Sequence, residues 1–270
     1  MSRFDAIRNA AAALRAPRIW LLHFFGNAAL FFLFYEWLRI PEAKLWQLAL
    51  NILLGAALVF AALLLQCGTL AWLRDAARSA GSPLADSFRR AVRRLPPFLV
   101  FLLLAWILWA IVSAFSPSGE AAPLFLRSML PAFLRRIISL AALTNVTAAF
   151  SFALQWILLP GLLLPLGVMI ADIGFSAFAR RQRKTWRSSL ACRQYWAVVA
   201  IAAILIFYAA LPLASWTPRS AHPTFAGETA SMVIRLLLAY SLGLASWLLL
   251  CAMAAGRVAA IERAAGNPAA

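Results

Sequence analysis

The run LWQLALNILLGAALVFAALLLQCGTLAWL, Leu45 to Leu73, carries no charged side chain. A bilayer's hydrocarbon core takes about 20 helical residues, and an apolar stretch of that length reads as a transmembrane helix. This one is long enough to cross with tilt. Working outward, five more apolar runs are found, uncharged except for Arg235 in the last: Ile19 to Tyr35, Pro97 to Phe115, Val146 to Ala171, Tyr195 to Ala214 and Ala230 to Ala255. The first is short and holds Gly26 and Asn27, so it needs neighbouring helices to accept its polar groups. Trp20, Trp37, Trp46, Trp72, Trp196, Trp216 and Trp247 sit near the ends of the runs, where an amphipathic ring favours the headgroup boundary.

Composition agrees. Of the 270 residues 64% are apolar and 13% charged, and the mean hydropathy is +0.83, which leaves too little polar side chain to cover a soluble globule. The expectation is an all-α polytopic membrane protein of about six transmembrane helices. It forms one membrane domain over residues 1–270, with basic amphipathic interfacial helices on the cytoplasmic face. Residues 1–18 read as an amphipathic helix, 82–95 and 180–194 as basic connectors and 256–270 as a cytoplasmic tail. The basic start followed by an apolar run resembles a signal peptide, but the run ends in Phe34-Tyr35-Glu36-Trp37, without small cleavage-site residues, and reads as a retained span.

One region resists a simple crossing. No charge occurs from Ile137 to Ala171. At about 1.5 Å per residue that stretch exceeds the ~30 Å core by about 20 Å. Pro160 and Pro165 are candidate kinks, and Pro123 to Leu143, with Arg127, Pro131, Arg135 and Arg136, reads as a surface or re-entrant segment.

The net charge of +16 comes from 25 Lys and Arg against 9 Asp and Glu. In a soluble chain this would suggest nucleic acid. Here the arginines lie between apolar runs, where they act as orientation signals and as contacts to anionic headgroups, so membrane lipids are the expected partners and nucleic acid is not. With the N terminus in the cytoplasm, that face collects 18 Lys and Arg and the other collects 7. The positive-inside bias places both termini in the cytoplasm of a cell-membrane protein.

Three segments that precede spans share a plan. Ser2-Arg-Phe-Asp5 has the form of a capping box, followed by Phe4, Ile7, Ala11 and Leu14 at helical spacing and then Pro17. Ser82-Pro83 opens the second, with Leu84, Phe88, Ala91, Val92 and Leu95 on one face, Arg89, Arg90, Arg93 and Arg94 on the other, and Pro96-Pro97 after it. The third, Arg180 to Gln194, lacks a proline but leads directly into a span. In this form the apolar face lies in the interface while Arg89, Arg90, Arg93, Arg94, Arg180, Arg181 and Arg187 reach lipid headgroups.

Asp172-Ile-Gly174-Phe-Ser176, Thr185-Trp186-Arg187 and Arg193-Gln194-Tyr195-Trp196 resemble the connector of a bacterial six-helix membrane family. That family includes the membrane domain attached to some glycerophosphodiester phosphodiesterases and uncharacterised stand-alone relatives. The resemblance implies a repeated basic segment ahead of a span, and a proline-bearing fourth span that ends near an acidic residue and a glycine, here Pro165, Asp172 and Gly174. The basic residues Arg180 to Lys184 depart from the shorter family connector. With the whole chain taken up by spans and connectors, no second domain is expected to carry phosphodiesterase chemistry.

Chemistry-bearing residues are sparse. Cys67, Cys192 and Cys251 have no metal-ligand spacing, and His23 and His222 are far apart. Zinc, nucleophile-elbow and phosphate-loop motifs are missing, so the expectation is a non-enzymatic accessory, scaffold or lipid-interacting protein with no cofactor and a membrane-protein partner left open. The alternative is a small-molecule or ion transporter with a path between spans one, two and four. Its candidate lining is His23, Asn27, Gln47, Asn51, Gln66 and Gln155. Gln47, Asn51, Gly55, Ala62, Gln66 and Thr69 form a small and polar stripe, and Thr144, Ala148, Ser151 and Gln155 form another. The same residues read equally as ordinary interhelical hydrogen bonds. Asp172 is a candidate for ion pairing with Arg180, Arg181 or another cytoplasmic arginine. Arg235 is placed to snorkel outward, and Ala239 with Gly243 reads as a close-packing face.

Overall fold

The computed structural model describes residues 5–41, 44–78, 83–115, 121–178, 180–217 and 224–265. The chain folds into helices α1 (Asp5–Leu14), α2 (Pro17–Leu38), α3 (Leu45–Arg78), α4 (Leu84–Phe115), α5 (Ala121–Met129) and α6 (Ala132–Ile137), then α7 (Leu140–Phe152), α8 (Leu159–Ile173), α9 (Arg180–Leu190), α10 (Arg193–Ile204), α11 (Leu211–Ser215) and α12 (Phe225–Ala264). No strand occurs among the described residues. Six helical stretches are long and apolar enough to cross a bilayer: α2, α3, α4, the composite from α7 through α8, the composite of α10 and α11, and α12. The architecture is that of a multi-pass membrane protein.

Several boundaries differ from those read in the sequence, and each difference has a local cause. The expected connector 82–95 is not a separate helix. From Leu84 it runs unbroken through Pro96 and Pro97 into the third span. Proline removes the bond to the carbonyl four residues back, and here those carbonyls belong to Val92 and Arg93, both exposed, where polar surroundings can satisfy them. The expected tail from 256 is helix as far as Ala264, and most of it is buried. Ser2, Phe4 and Ser82, the expected caps and the first apolar position, lie outside the described residues.

Ahead of the uncharged Ile137 to Ala171 region, in the expected surface or re-entrant segment, α5 and α6 are short helices with exposed Phe125, Phe133 and Ile137. The chain then enters the membrane at α7, which Ser139 caps by accepting from the Ala142 amide at 3.1 Å. The fourth span is not one regular helix. A π-helical turn, Ala153–Leu158, joins α7 to α8, and a second, Leu205–Ala210, joins α10 to α11. Each is followed two residues later by a proline, Pro160 or Pro212. The missing proline N–H leaves the carbonyl four residues back without its usual donor, and the ladder shifts to i+5 bonding. The Leu159 amide accordingly bonds the Leu154 carbonyl, and the Leu211 amide bonds that of Ile206. Trp156 and Phe207 pack across the two turns with ring centres 4.5 Å apart.

Two of the three expected repeats share a corner. In the first, Trp20 Nε1 donates to the Leu14 carbonyl at 2.8 Å; in the third, Trp196 Nε1 donates to the Leu190 carbonyl at 2.7 Å, again six residues back. Ile19 and Tyr195, the residues just before these tryptophans, are fully buried. An indole at the fourth position of the span caps the preceding helix and turns the chain, with or without a proline.

The core is concentrated at one end of the bundle. It comprises Cys67, Leu70 and Leu73 of α3; Ala91, Leu95 and Phe98 of α4; Leu164, Val168 and Ile170 of α8; Val199 of α10; and Leu248, Cys251, Ala254 and Val258 of α12. Ala10 and Ala13 of α1 join it, and α1 packs on α12 and α3. Small residues permit the close approach: a Cβ on Gly68 would lie 2.6 Å from the Phe88 ring. Gly174 terminates α8 at φ +64°, a conformation that suits glycine. Of the expected close-packing pair on α12, Ala239 is buried, whereas a Cβ on Gly243 would meet nothing within 4 Å, so the helix is open at that position.

Candidate functional site: a charged junction at the packed end

At the packed end, α3 carries Arg74 and Arg78 one turn apart on the same face. Arg74 is fully buried. Its Nη1 lies 2.8 Å from Asp172 Oδ2, and its Nη2 bonds Glu262 Oε1. Arg78 repeats the pattern, with Nη1 3.3 Å from Asp172 Oδ2 and Nη2 2.8 Å from Glu262 Oε2. Two guanidinium groups and two carboxylates thus tie α3, α8 and α12 together with no net charge. Gly174 ends α8 two residues past Asp172, and the small residues Ala252, Ala254, Ala255 and Gly256 let α12 bring Glu262 close to α3.

A second bridge joins α3 to α4. Asp75 Oδ2 accepts from Ser87 Oγ at 2.6 Å and from Arg90 Nη2. Arg257 of α12 adds a link to α9 by donating to the Ser188 carbonyl at 3.4 Å. Each carboxylate of the junction is held between the same two arginines, so the four groups are fixed against one another. Buried pairs of this kind specify which helices meet, and breaking one strands a charge at low dielectric.

The outward face differs. Arg89, Arg93 and Arg94 of α4 and Arg183 and Arg187 of α9 are exposed, and none forms an ion pair among the described residues. Arg90 is shared, bonded to Asp75 yet 55% exposed. The side chains of Arg180 and Arg181 lie outside the described residues. Asp172 does pair with arginine, through Arg74 and Arg78 on α3.

The six polar residues named as candidate lining go to different places. His23 is buried and bonds Thr69 Oγ1 at 2.8 Å; that hydroxyl donates to the Leu65 carbonyl, so the His23 Nε2–H is the donor. Asn27 donates to the Tyr240 hydroxyl, which in turn donates to the His23 carbonyl at 3.0 Å. Gln66 accepts from Trp247 Nε1 at 3.1 Å. These three residues join α2, α3 and α12. Gln47 accepts from the Lys44 amide at the start of α3, Asn51 offers its backbone carbonyl to Trp37 Nε1, and Gln155 stands in the π turn of the fourth span. The groove between α2 and α3, bounded by Gly26, Leu33, Ala61 and Leu65, is apolar throughout. Arg235 bonds the Ser231 carbonyl of its own helix.

Asp172 was legible as a pairing residue in the sequence, but its partners and Glu262 were not. The available signal was the run Ala252 to Ala260, whose small residues continue past the apolar stretch and point to a helix still tightly packed where Glu262 appears. No family model matches the chain, and neither a curated protein nor a solved structure matches it.

Proposed function

We propose that this chain is a non-enzymatic integral protein of the cell membrane, with both termini in the cytoplasm, that serves as an accessory or scaffold protein and gathers anionic lipid at its basic face. The observation that carries this reading is the division of charge at the packed end. Asp75, Asp172 and Glu262 are turned inward onto Arg74, Arg78 and Arg90, while Arg89, Arg93, Arg183 and Arg187 are left exposed without an ion pair among the described residues, as is Arg94, whose side chain lies across Gly174. The inward network makes a rigid platform and the outward arginines give it a positive surface. Each arginine near an anionic leaflet contributes about 1 kcal/mol, screened beyond a Debye length. The bias of 18 Lys and Arg against 7 supports the orientation.

The lipid reading is tested in nanodiscs of phosphatidylglycerol and phosphatidylcholine. Wild type enriches phosphatidylglycerol around itself, less so as salt rises, and R89Q/R93Q/R94Q reduces that enrichment. Equal enrichment by the variant would remove the role of this face. Orientation is read from Cys192, which is half-buried, whereas Cys67 and Cys251 are fully buried. A membrane-impermeant thiol reagent labels Cys192 only after permeabilisation; labelling of intact cells inverts the topology.

A further inference from the structure

Between α8, the 3₁₀ turn Gly174–Phe178 and α9 lies a pocket of about 280 Å³ lined by Leu166, Ala177, Arg183, Trp186 and Arg187. Residues 183, 186 and 187 share one face of α9 through i, i+3 and i+4 spacing. The wall is hydrocarbon: Leu166, Ala177 and the Trp186 ring. The Trp186 indole N–H is already used, donating to the Leu162 carbonyl at 2.9 Å, so the ring presents apolar surface and no open donor. That bond also sets the ring against α8, one turn from Leu166. Arg183 and Arg187 are exposed and, among the described residues, pair with no carboxylate. Asp172, at the end of α8, is turned away to Arg74 and Arg78.

We propose that this pocket holds one anionic phospholipid, with an acyl chain against Leu166, Ala177 and Trp186 and its phosphate between Arg183 and Arg187. The proposal rests on the lipid-gathering reading above and adds to it a single stoichiometric site on a different helix from the α4 arginines. Charge complementarity selects the occupant. A free phosphate would meet the arginines but leave the apolar wall wet, and a zwitterionic headgroup would bring a cation toward two guanidinium groups. Leu162 and Leu166 belong to the fourth span, while Arg183 and Arg187 belong to the connector beyond it. A lipid at the bilayer boundary therefore reaches both without leaving its leaflet.

The test is native mass spectrometry of the full chain released from nanodiscs of mixed phosphatidylglycerol and phosphatidylcholine, counting retained lipids. Wild type retains one phosphatidylglycerol molecule in preference to phosphatidylcholine. R183Q/R187Q weakens that retention by roughly 30-fold, as expected for the loss of two interfacial charge contacts. L166W, which fills the groove and keeps both arginines, also loses the lipid, whereas R89Q/R93Q/R94Q retains it. Millimolar inorganic phosphate does not displace it. Undiminished retention by R183Q/R187Q, equal retention of phosphatidylcholine, or displacement by phosphate would each overturn the site. If the α4 variant leaves bulk enrichment unchanged while R183Q/R187Q still loses its one lipid, the broader reading fails and the pocket stands.

Discussion

The two halves of α12 are both predominantly apolar and are packed in opposite ways. At one end Leu236, Leu237 and Leu238 are 46%, 48% and 54% exposed, though successive residues point about 100° apart around a helix. At the other, Cys251, Met253, Ala254 and Ala255 are buried at 1% or less. The contrast runs through the whole bundle. The end that holds Arg74 and Glu262 is packed, and the end that holds Leu53, Ile107 and Val146 is open, with large side chains turned outward. In lipid, apolarity gives a helix no preference for protein over hydrocarbon tails, so packing follows small residues and paired polar groups. The packed end has both.

The largest test of this contrast is to remove the charge at its centre. Arg74→Met leaves Asp172 and Glu262 with Arg78 alone, and should cost about 3–5 kcal/mol, the range for breaking a buried ion network. The readout is thermal unfolding in detergent. If melting matches wild type, the junction does not hold the packed end together.

Next comes close approach. A Cβ on Gly161 would collide with the Trp196 ring, so Gly161→Leu should destabilise by about 1–3 kcal/mol through overpacking. The same readout applies, and Trp196→Ala should relieve much of the loss.

Smaller again is Tyr195→Phe. Pro165 has no N–H to give the Gly161 carbonyl, and the buried Tyr195 hydroxyl supplies the donor at 2.7 Å. Its removal should cost about 1 kcal/mol, whereas Tyr208→Phe at an exposed position should cost nothing measurable.

The smallest effect has the opposite sign. Gly243→Ala enters open space and should stabilise α12 by about 0.5–1 kcal/mol through reduced chain freedom. A loss instead would mean that Gly243 is covered by a partner helix in the membrane.

Leu45 to Leu73 and its five companion runs were legible because a bilayer demands long apolar segments from sequence directly, without reference to neighbours. The corner at Trp196 follows a visible pattern, a tryptophan just inside a span. The fusion of the Arg89 to Arg94 segment with the third span was hidden because Pro96-Pro97 reads as a break. What makes it tolerable is the exposure of Val92 and Arg93, a tertiary property.

By itself, then, the sequence determined the helical class, the number of crossings and the concentration of positive charge between them, since each depends on local composition and length. Only the tertiary structure decided where the charges go. Arg74 and Glu262 are 188 residues apart, and nothing in either segment names the other. Their pairing arises because small residues let α12 approach α3, where a buried charge without a partner is costly.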